Sequence, residues 1–290
     1  MAKIGDLLEQ GRTFSFEFFP PKDDAEHERL VRTLIALQPL DPSFVSVTYR
    51  GGPTSRRRTH DLVSAMLKVT TLNPMAHLIC VGHTRLELAE ILVDLRRAGV
   101  ENLMALGGDP PADPGVAGEL AYADELVALA RAIGGFSIGV AAHPAGHPRS
   151  ADRSADRDRL AAKLRAADFS VTQFFFDVEE YVRLVEDLAA RGVHRPVIPG
   201  IMPVTTLTTL QRMTAMGGVV PAWLRDRLEA AGAPDAVRAV GIDAATKLSA
   251  GLLEAGAPGL HFYTLNFSRA TTEIYANLGL GAPVSVAGEP

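Results

Sequence analysis

Apolar and polar positions along this chain switch between two periods. Short runs rich in aromatic and β-branched residues, at Phe14–Phe19, Phe44–Tyr49, Ala76–Cys80, Asn102–Leu106, Ser137–Ala142, Ser170–Phe175, Val197–Ile201 and Leu260–Thr264, read as strands. Between them, amphipathic periodicity predicts helices over Ala25–Leu37, Thr59–Val69, Arg85–Ala98, Ala121–Ile133, Ala155–Ala166, Val178–Ala190, Thr206–Met213 and Val240–Glu254. Eight strands, each followed by a helix, predict a single-domain (β/α)8 TIM barrel over residues 1–280, with its site at the C-terminal strand ends. The competing open, doubly wound sheet lacks its phosphate-binding turn, because no G-x-G-x-x-G follows the first run. An additional segment, Pro221–Ala230, precedes the eighth helix. Arg269–Leu278 is expected to close the barrel, and residues 281–290, with Gly, Pro and Ser, to form a loose tail.

The first run, F-S-F-E-F-F-P-P at 14–21, anchors the functional reading. Period-two alternation sends Phe14, Phe16 and Phe18 to one side and Ser15, Glu17 and Phe19 to the other, so a lone carboxylate sits within an apolar strand. Desolvation raises a carboxyl pKa, which predicts a Glu17 protonated near neutral pH and able to donate a proton. The alternative is a structural Glu paired with an Arg elsewhere in the fold.

Composition narrows the class. At 290 residues and 47% hydrophobic content, the chain can bury either two ordinary cores or one closed barrel. A formal charge of -5 argues against nucleic-acid or anionic-membrane surfaces, although Arg56-Arg57-Arg58 is a local basic patch, read first as a solvated helix start and second as an anion contact. A single cysteine, Cys80, excludes an internal disulfide framework, and with no apolar leader or membrane-length run the chain reads as cytoplasmic. None of the five lysines ends a predicted strand, which argues against Schiff-base chemistry.

The predicted strand ends present Glu17, Thr48, Tyr49, His77, Asp109, His143, Gln173, Tyr263 and Asn266. A protonatable Glu, an Asp and a Gln amide on one concave face suit hydrogen bonding to a flat heterocycle, although each taken alone also reads as packing or turn chemistry. His143 and His147 form H-x-x-x-H, but the prolines around them make a loop rather than a helical ligand face. No acidic residue nearby completes a shell, and no metal is expected. Phe174-Phe175-Phe176 reads mostly as core, with one ring left for stacking on a ligand. Gly107-Gly108 marks either a turn or a close approach of ligand to backbone.

In combination, F-S-F-E-F-F-P-P, F-V-S-V-T-Y at 44–49, G-G-D-P-P at 107–111, T-Q-F-F-F-D at 172–177, P-G-I-M-P at 199–203 and H-F-Y-T-L-N at 261–266 resemble the methylenetetrahydrofolate reductase family over about residues 14–280. The resemblance implies a (β/α)8 barrel that makes 5-methyltetrahydrofolate from 5,10-methylenetetrahydrofolate. It implies Glu17 as general acid and Asp109 and Gln173 as residues that hold the pterin, with Asp109 also catalytic, its charge favouring the cationic iminium. Thr48, Tyr49, Phe175, Tyr263, Asn266 and Arg269 would complete the substrate wall. His77, Gly107, Gly108, Tyr122, His143, His147, Asp156 and Lys163 fall on cofactor-contacting positions.

Departures from the pattern concentrate where the family binds FAD. Gly107 stands in place of an Arg, and His143 in place of a Tyr. The helical pattern Asp, Asn, Arg, Lys becomes Asp156, Arg159, Ala162 and Lys163. Losing guanidinium contacts to a pyrophosphate weakens binding by orders of magnitude. The expected hydride donor is therefore NADH or NADPH acting directly, with FAD absent. The alternative is FAD retained through residues such as Arg159, in a ping-pong reaction. A non-catalytic pterin-binding barrel and an aldolase-type barrel enzyme are the competing classes. The partners expected are the folate substrate and a second copy of the chain in a homo-oligomer.

Overall fold

The computed structural model describes residues 2–49, 53–109, 118–215 and 219–281. Nine strands form one parallel sheet: β1 (Thr13–Phe18), β2 (Phe44–Val47), β3 (Pro74–Ile79), β4 (Asn102–Leu106), β5 (Ser137–Ala142), β6 (Phe169–Thr172), β7 (Val197–Ile198), β8 (Gly200–Ile201) and β9 (Gly259–Tyr263). Their spatial order is β7-β6-β5-β4-β3-β2-β1-β9-β8. Val197 is in register with Ser170 of β6, and Gly200 with His261 of β9, so the two ends of the sheet are halves of one strand and the barrel closes across Pro199. The sequence predicted an unbroken strand here. Proline supplies no N–H to the ladder, so each half bonds a different neighbour.

The helices are α1 (Ile4–Gln10), α2 (Asp24–Leu37), α3 (Pro53–Val69), α4 (Arg85–Arg97), α5 (Ala123–Ile133), α6 (Arg153–Ala166), α7 (Val178–Ala189), α8 (Leu207–Ala215), α9 (Ala222–Ala231), α10 (Pro234–Glu254) and α11 (Arg269–Asn277). Capping fixes several starts: Asp23, Thr84, Asp152 and Asp177 each accept a first-turn amide through their side chains. Two helices begin earlier than periodicity predicted, α3 at Pro53 rather than Thr59 and α10 at Pro234 rather than Val240. Both open on a proline, whose missing donor costs nothing in a first turn.

Alternation along β1 sorts its residues as expected. Phe16 and Phe18 are fully buried against the surrounding helices, where Phe16 lies 5.5 Å from the Tyr275 ring of α11. Burying each such ring contributes roughly 1.5–3 kcal/mol. The barrel interior is filled near its N-terminal end by Phe44, Met75, Met104, Phe169, Val171 and Ile198. The unexpected helix α1 caps that end: Ile4 packs into the same cluster, its N–H donates to Asn102 Oδ1 at 2.8 Å, and the Gly5 N–H donates to Ser137 Oγ at 3.0 Å. The expected loose tail lies, apart from Gly281, outside the described residues. Among the described residues no helix is long and apolar enough to cross a membrane.

Candidate active site

Strand register assembles the centre of the mouth. Glu17 lies level with Ser46 on one neighbouring strand and with Tyr263 on the other, while Ser15 lies level with His261. The Glu17 carboxylate Oε2 accepts from Ser46 Oγ at 3.3 Å and faces His261 Nε2 and His77 Nε2, each at 3.5 Å. Ser15 Oγ is 2.8 Å from His261 Nδ1. With that hydroxyl donating to Nδ1, the imidazole keeps its proton on Nε2, toward the carboxylate. His77 Nε2 is buried and makes no hydrogen bond, so it points at Glu17 as an unsatisfied polar atom. Tyr263 donates its hydroxyl to the Thr172 carbonyl at 2.6 Å, and burial together with the Glu17 charge holds its phenol well above the ordinary value. Beside it, a Cβ at Gly200 would stand 2.3 Å from the Thr172 carbonyl oxygen and 2.6 Å from the Tyr263 ring, so only glycine fits there.

The expectation of a Glu17 protonated near neutral pH is overturned. Burial does push its carboxyl up, but the His261 hydrogen bond, the charges of His77 and His261 and the Ser46 hydroxyl outweigh it and set the pKa below the ordinary value. Burial likewise lowers His77, against the pull of Glu17. The free protein thus holds an ionised Glu17.

A second cluster lies beyond the ends of β4 and β5. The His143 and His147 rings meet edge to face at 4.6 Å. Burial and the neighbouring His147 push His143 down to about 4. Burial lowers His147 as well, and the Asp109 charge is felt there. Lys163 donates to the Ala141 carbonyl at 3.1 Å and is lowered by burial against the pull of Asp156. Arg149 donates to the Gly108 carbonyl at 3.3 Å. Gly108 has φ 88, where L side chains are strained, and a Cβ at Gly107 would meet nothing nearer than 3.9 Å.

Arg157 organises this cluster. It is 1% exposed and reaches Asp156 Oδ2 at 2.7 Å, Asp187 Oδ2 at 3.2 Å, the His143 carbonyl at 2.9 Å and the Pro144 carbonyl. Asp156, expected to contact a cofactor, has its Oδ2 on this guanidinium. Arg159 and Ala162 are exposed on the same helix.

The structure therefore gathers Glu17, His77 and Tyr263 in one centre and His143, His147, Asp156 and Lys163 in another. Thr48 is buried, with its hydroxyl lacking a hydrogen bond, and Asp109, Gln173 and Tyr122 are exposed. The Gln173 amide oxygen accepts from the next residue's N–H at 3.0 Å. Asn266 clamps Phe19 through both side-chain atoms, and Arg269 is turned onto Glu273 at 3.4 Å. Two expectations fail on parity. Tyr49 falls with Val45 and Val47 on the helix-facing side and bonds His83 Nε2 at 2.6 Å, and Phe175 stacks on Tyr181 in the core at 6.4 Å. His77, expected at a cofactor, faces Glu17. Ser15, Ser46, His261 and Arg157 were missed. For His261 a signal existed, because it alternates with Tyr263 onto the same face.

A family model described as methylenetetrahydrofolate reductase matches residues 3–279. The chain is 36% identical over 280 residues to the 5,10-methylenetetrahydrofolate reductase of Pectobacterium carotovorum subsp. carotovorum, covering 95% of this chain and 93% of that one. It is also 36% identical over 297 residues to methylenetetrahydrofolate reductase (NADH) 1 of Arabidopsis thaliana, covering 96% of this chain and 50% of that protein. A solved structure of a Clostridium thermocellum protein, described as binding two copies of 5-methyl-5,6,7,8-tetrahydrofolic acid, superposes with a TM-score of 0.68 over 96% of both chains, at 16% identity, a likeness of fold. The near full-length match to the family model and the similarity to full-length relatives lead to one conclusion: the chain belongs to the methylenetetrahydrofolate reductase family.

Proposed function

We propose that the protein reduces 5,10-methylenetetrahydrofolate to 5-methyltetrahydrofolate by taking hydride directly from NADH or NADPH, with Glu17 as general acid and no flavin. Family membership supports the reaction. The Arg157–Asp156 pair carries the flavin-free reading, because an acidic group available to a cofactor in the family's pattern is here consumed by a buried guanidinium. Lys163 is spent on a backbone carbonyl, and Gly107 leaves open space where the family has an arginine. These residues do not fit a flavin.

The chemistry needs one proton and one hydride. Glu17 protonates the outer nitrogen of the methylene bridge, the bond from that nitrogen to the bridging carbon breaks, and the inner nitrogen becomes an iminium. Hydride adds to the bridging carbon, giving the methyl group and the oxidised nicotinamide. Glu17 is left as a carboxylate and is reprotonated from water. A pterin over the mouth strips the remaining water from Glu17, and desolvation then raises its pKa, so the acid takes up its proton as substrate binds. General acid catalysis of this kind contributes about 10²–10⁴-fold.

The test is an absorbance spectrum of the purified protein together with steady-state kinetics. A colourless protein that turns over reduced nicotinamide and methylenetetrahydrofolate with intersecting double-reciprocal lines is expected. A stoichiometric yellow chromophore with parallel lines overturns the flavin-free reading.

A further inference from the structure

The side-chain contacts of Glu17 fall on one of its two carboxylate oxygens. Oε2 accepts from Ser46 Oγ at 3.3 Å and lies 3.5 Å from both His261 Nε2 and His77 Nε2. Oε1 has no hydrogen-bond partner among the described residues, in a side chain that is 11% exposed. The three neighbours of Oε2 differ in how firmly they are held. His77 Nε2 faces Glu17 without the geometry of a hydrogen bond. Ser46 can turn its hydroxyl to Glu17 or to His261 Nε2, 3.4 Å away. His261 alone is gripped from behind.

That grip comes from register and stacking. Ser15 on β1 lies level with His261 on β9, and its Oγ is 2.8 Å from Nδ1. The His261 ring stacks on Phe44, with 5.9 Å between centroids, and meets the Tyr263 ring at right angles 5.4 Å away. A ring that is 1% exposed and packed on these sides is not able to swing to another partner. The Ser15 hydroxyl has a second acceptor in the Leu260 carbonyl, but at 3.4 Å, so the shorter contact to Nδ1 wins. With Nδ1 accepting, the ring proton stays on Nε2 and aims at Oε2.

We propose that His261 is the positioning residue of the acid: held by Ser15, it donates to Oε2 and so leaves Oε1 to carry the proton that reacts. The inference rests on the proposed role of Glu17. Donors gathered on one oxygen favour the ionised form and direct protonation to the other oxygen, which faces no competing donor. His261 thereby ties proton uptake to substrate binding, because the carboxylate stays ionised until the pterin excludes water and Oε1 takes up a proton. When Oε1 gives that proton to the outer nitrogen of the methylene bridge, the charge returning to the carboxylate meets a donor already in place. The 3.5 Å contact is long in the free protein, and such bonds tighten in the reacting complex. The other titratable groups around Glu17 among the described residues are His77 on β3 and Tyr263 on β9. Neither donates to it: Tyr263 gives its hydroxyl to the Thr172 carbonyl.

The test is the pH dependence of kcat in the wild-type protein, His261→Phe and His261→Gln, with Glu17 followed separately by infrared spectroscopy. His261→Phe keeps a ring against Phe44 and removes both nitrogens, while the Ser15 hydroxyl falls back on the Leu260 carbonyl. Because Glu17 must be protonated to react, kcat falls as pH rises through its pKa in the complex. Losing the donor weakens the acid, so in His261→Phe the fall should move up by about one pH unit and the plateau below it should drop. His261→Gln can still turn an N–H to Oε2 and should keep the fall near its wild-type pH. In the free proteins, the protonated-carboxyl band that is lost in Glu17→Gln should arise at higher pH in His261→Phe than in the wild type. A merely structural role would lower kcat by one factor at every pH and leave both the fall and the band in place, and that result overturns the proposal. A fall displaced equally in His261→Gln overturns it too. The infrared change without any turnover of methylenetetrahydrofolate by the wild-type protein would overturn the folate reaction and leave the positioning of Glu17 standing.

Discussion

Replacing Arg157 by Met tests how the loop after β5 is held. Methionine fills a similar volume but removes the guanidinium from four acceptors, two carboxylates and two carbonyls. Asp187 has a side chain 38% exposed and can hydrate once released, so its loss counts for little. Asp156 cannot, because its side chain is 10% exposed and, among the described residues, keeps only the hydrogen bond from Ser150 Oγ, at 3.4 Å. Leaving a buried carboxylate uncompensated costs about 3–5 kcal/mol. The two carbonyls add about 1 kcal/mol between them, since their loop is partly open to water. Arg157→Met should therefore lose about 4–6 kcal/mol, a large part of a typical total of about 5–15 kcal/mol. Adding Asp156→Asn removes the stranded charge and should recover about half of that loss. Urea unfolding at pH 7.5, followed by circular dichroism with m compared across the three proteins, reads both differences. A loss below about 1 kcal/mol in the single variant, or a double variant no more stable than the single, would refute the reasoning.

The remaining expectations concern the acid and its neighbours. On the proposed mechanism Glu17→Gln keeps the shape of the site and its contact with Ser46 but cannot donate the proton; turnover should fall at least about 10²-fold while folate binding, followed by fluorescence quenching, is largely kept, and unchanged turnover would sink the assigned role. His143 carries a pH signature. Its folded pKa of about 4 lies below the unfolded 6.5, so the unfolded chain binds more protons between those values, and the stability His143 contributes is present above pH 6.5 and lost as pH falls toward 4. Between pH 7.5 and 4.5 that amounts to about 2.5 kcal/mol. His143→Gln should show correspondingly less acid destabilisation in denaturant melts, and an identical acid loss in both proteins would contradict the assignment.

Periodicity was enough for the barrel, because eight strand–helix alternations leave few topologies and Glu17 falls on the inward parity of its strand. The interior of the site was harder to read. Ser46 and His261 are distant in sequence and meet Glu17 only through register, and that meeting reverses the expected direction of the Glu17 pKa. Tyr49 and Phe175 were misplaced because motif position was followed where parity turned their side chains outward. Arg157 gave no local signal at all: on a helical wheel it reads as one more surface cation, and only the folded loop shows its four acceptors.

The small helix α1 has a consequence for proton supply. By closing the floor of the barrel with Ile4 it turns Glu17, among the described residues, toward the mouth, the opening through which the proposed substrate would enter. Once that opening is covered, no hydronium can be delivered from below. On the proposed mechanism the proton that charges Glu17 must then enter through the mouth while the substrate is settling over it, so docking and proton uptake share one opening.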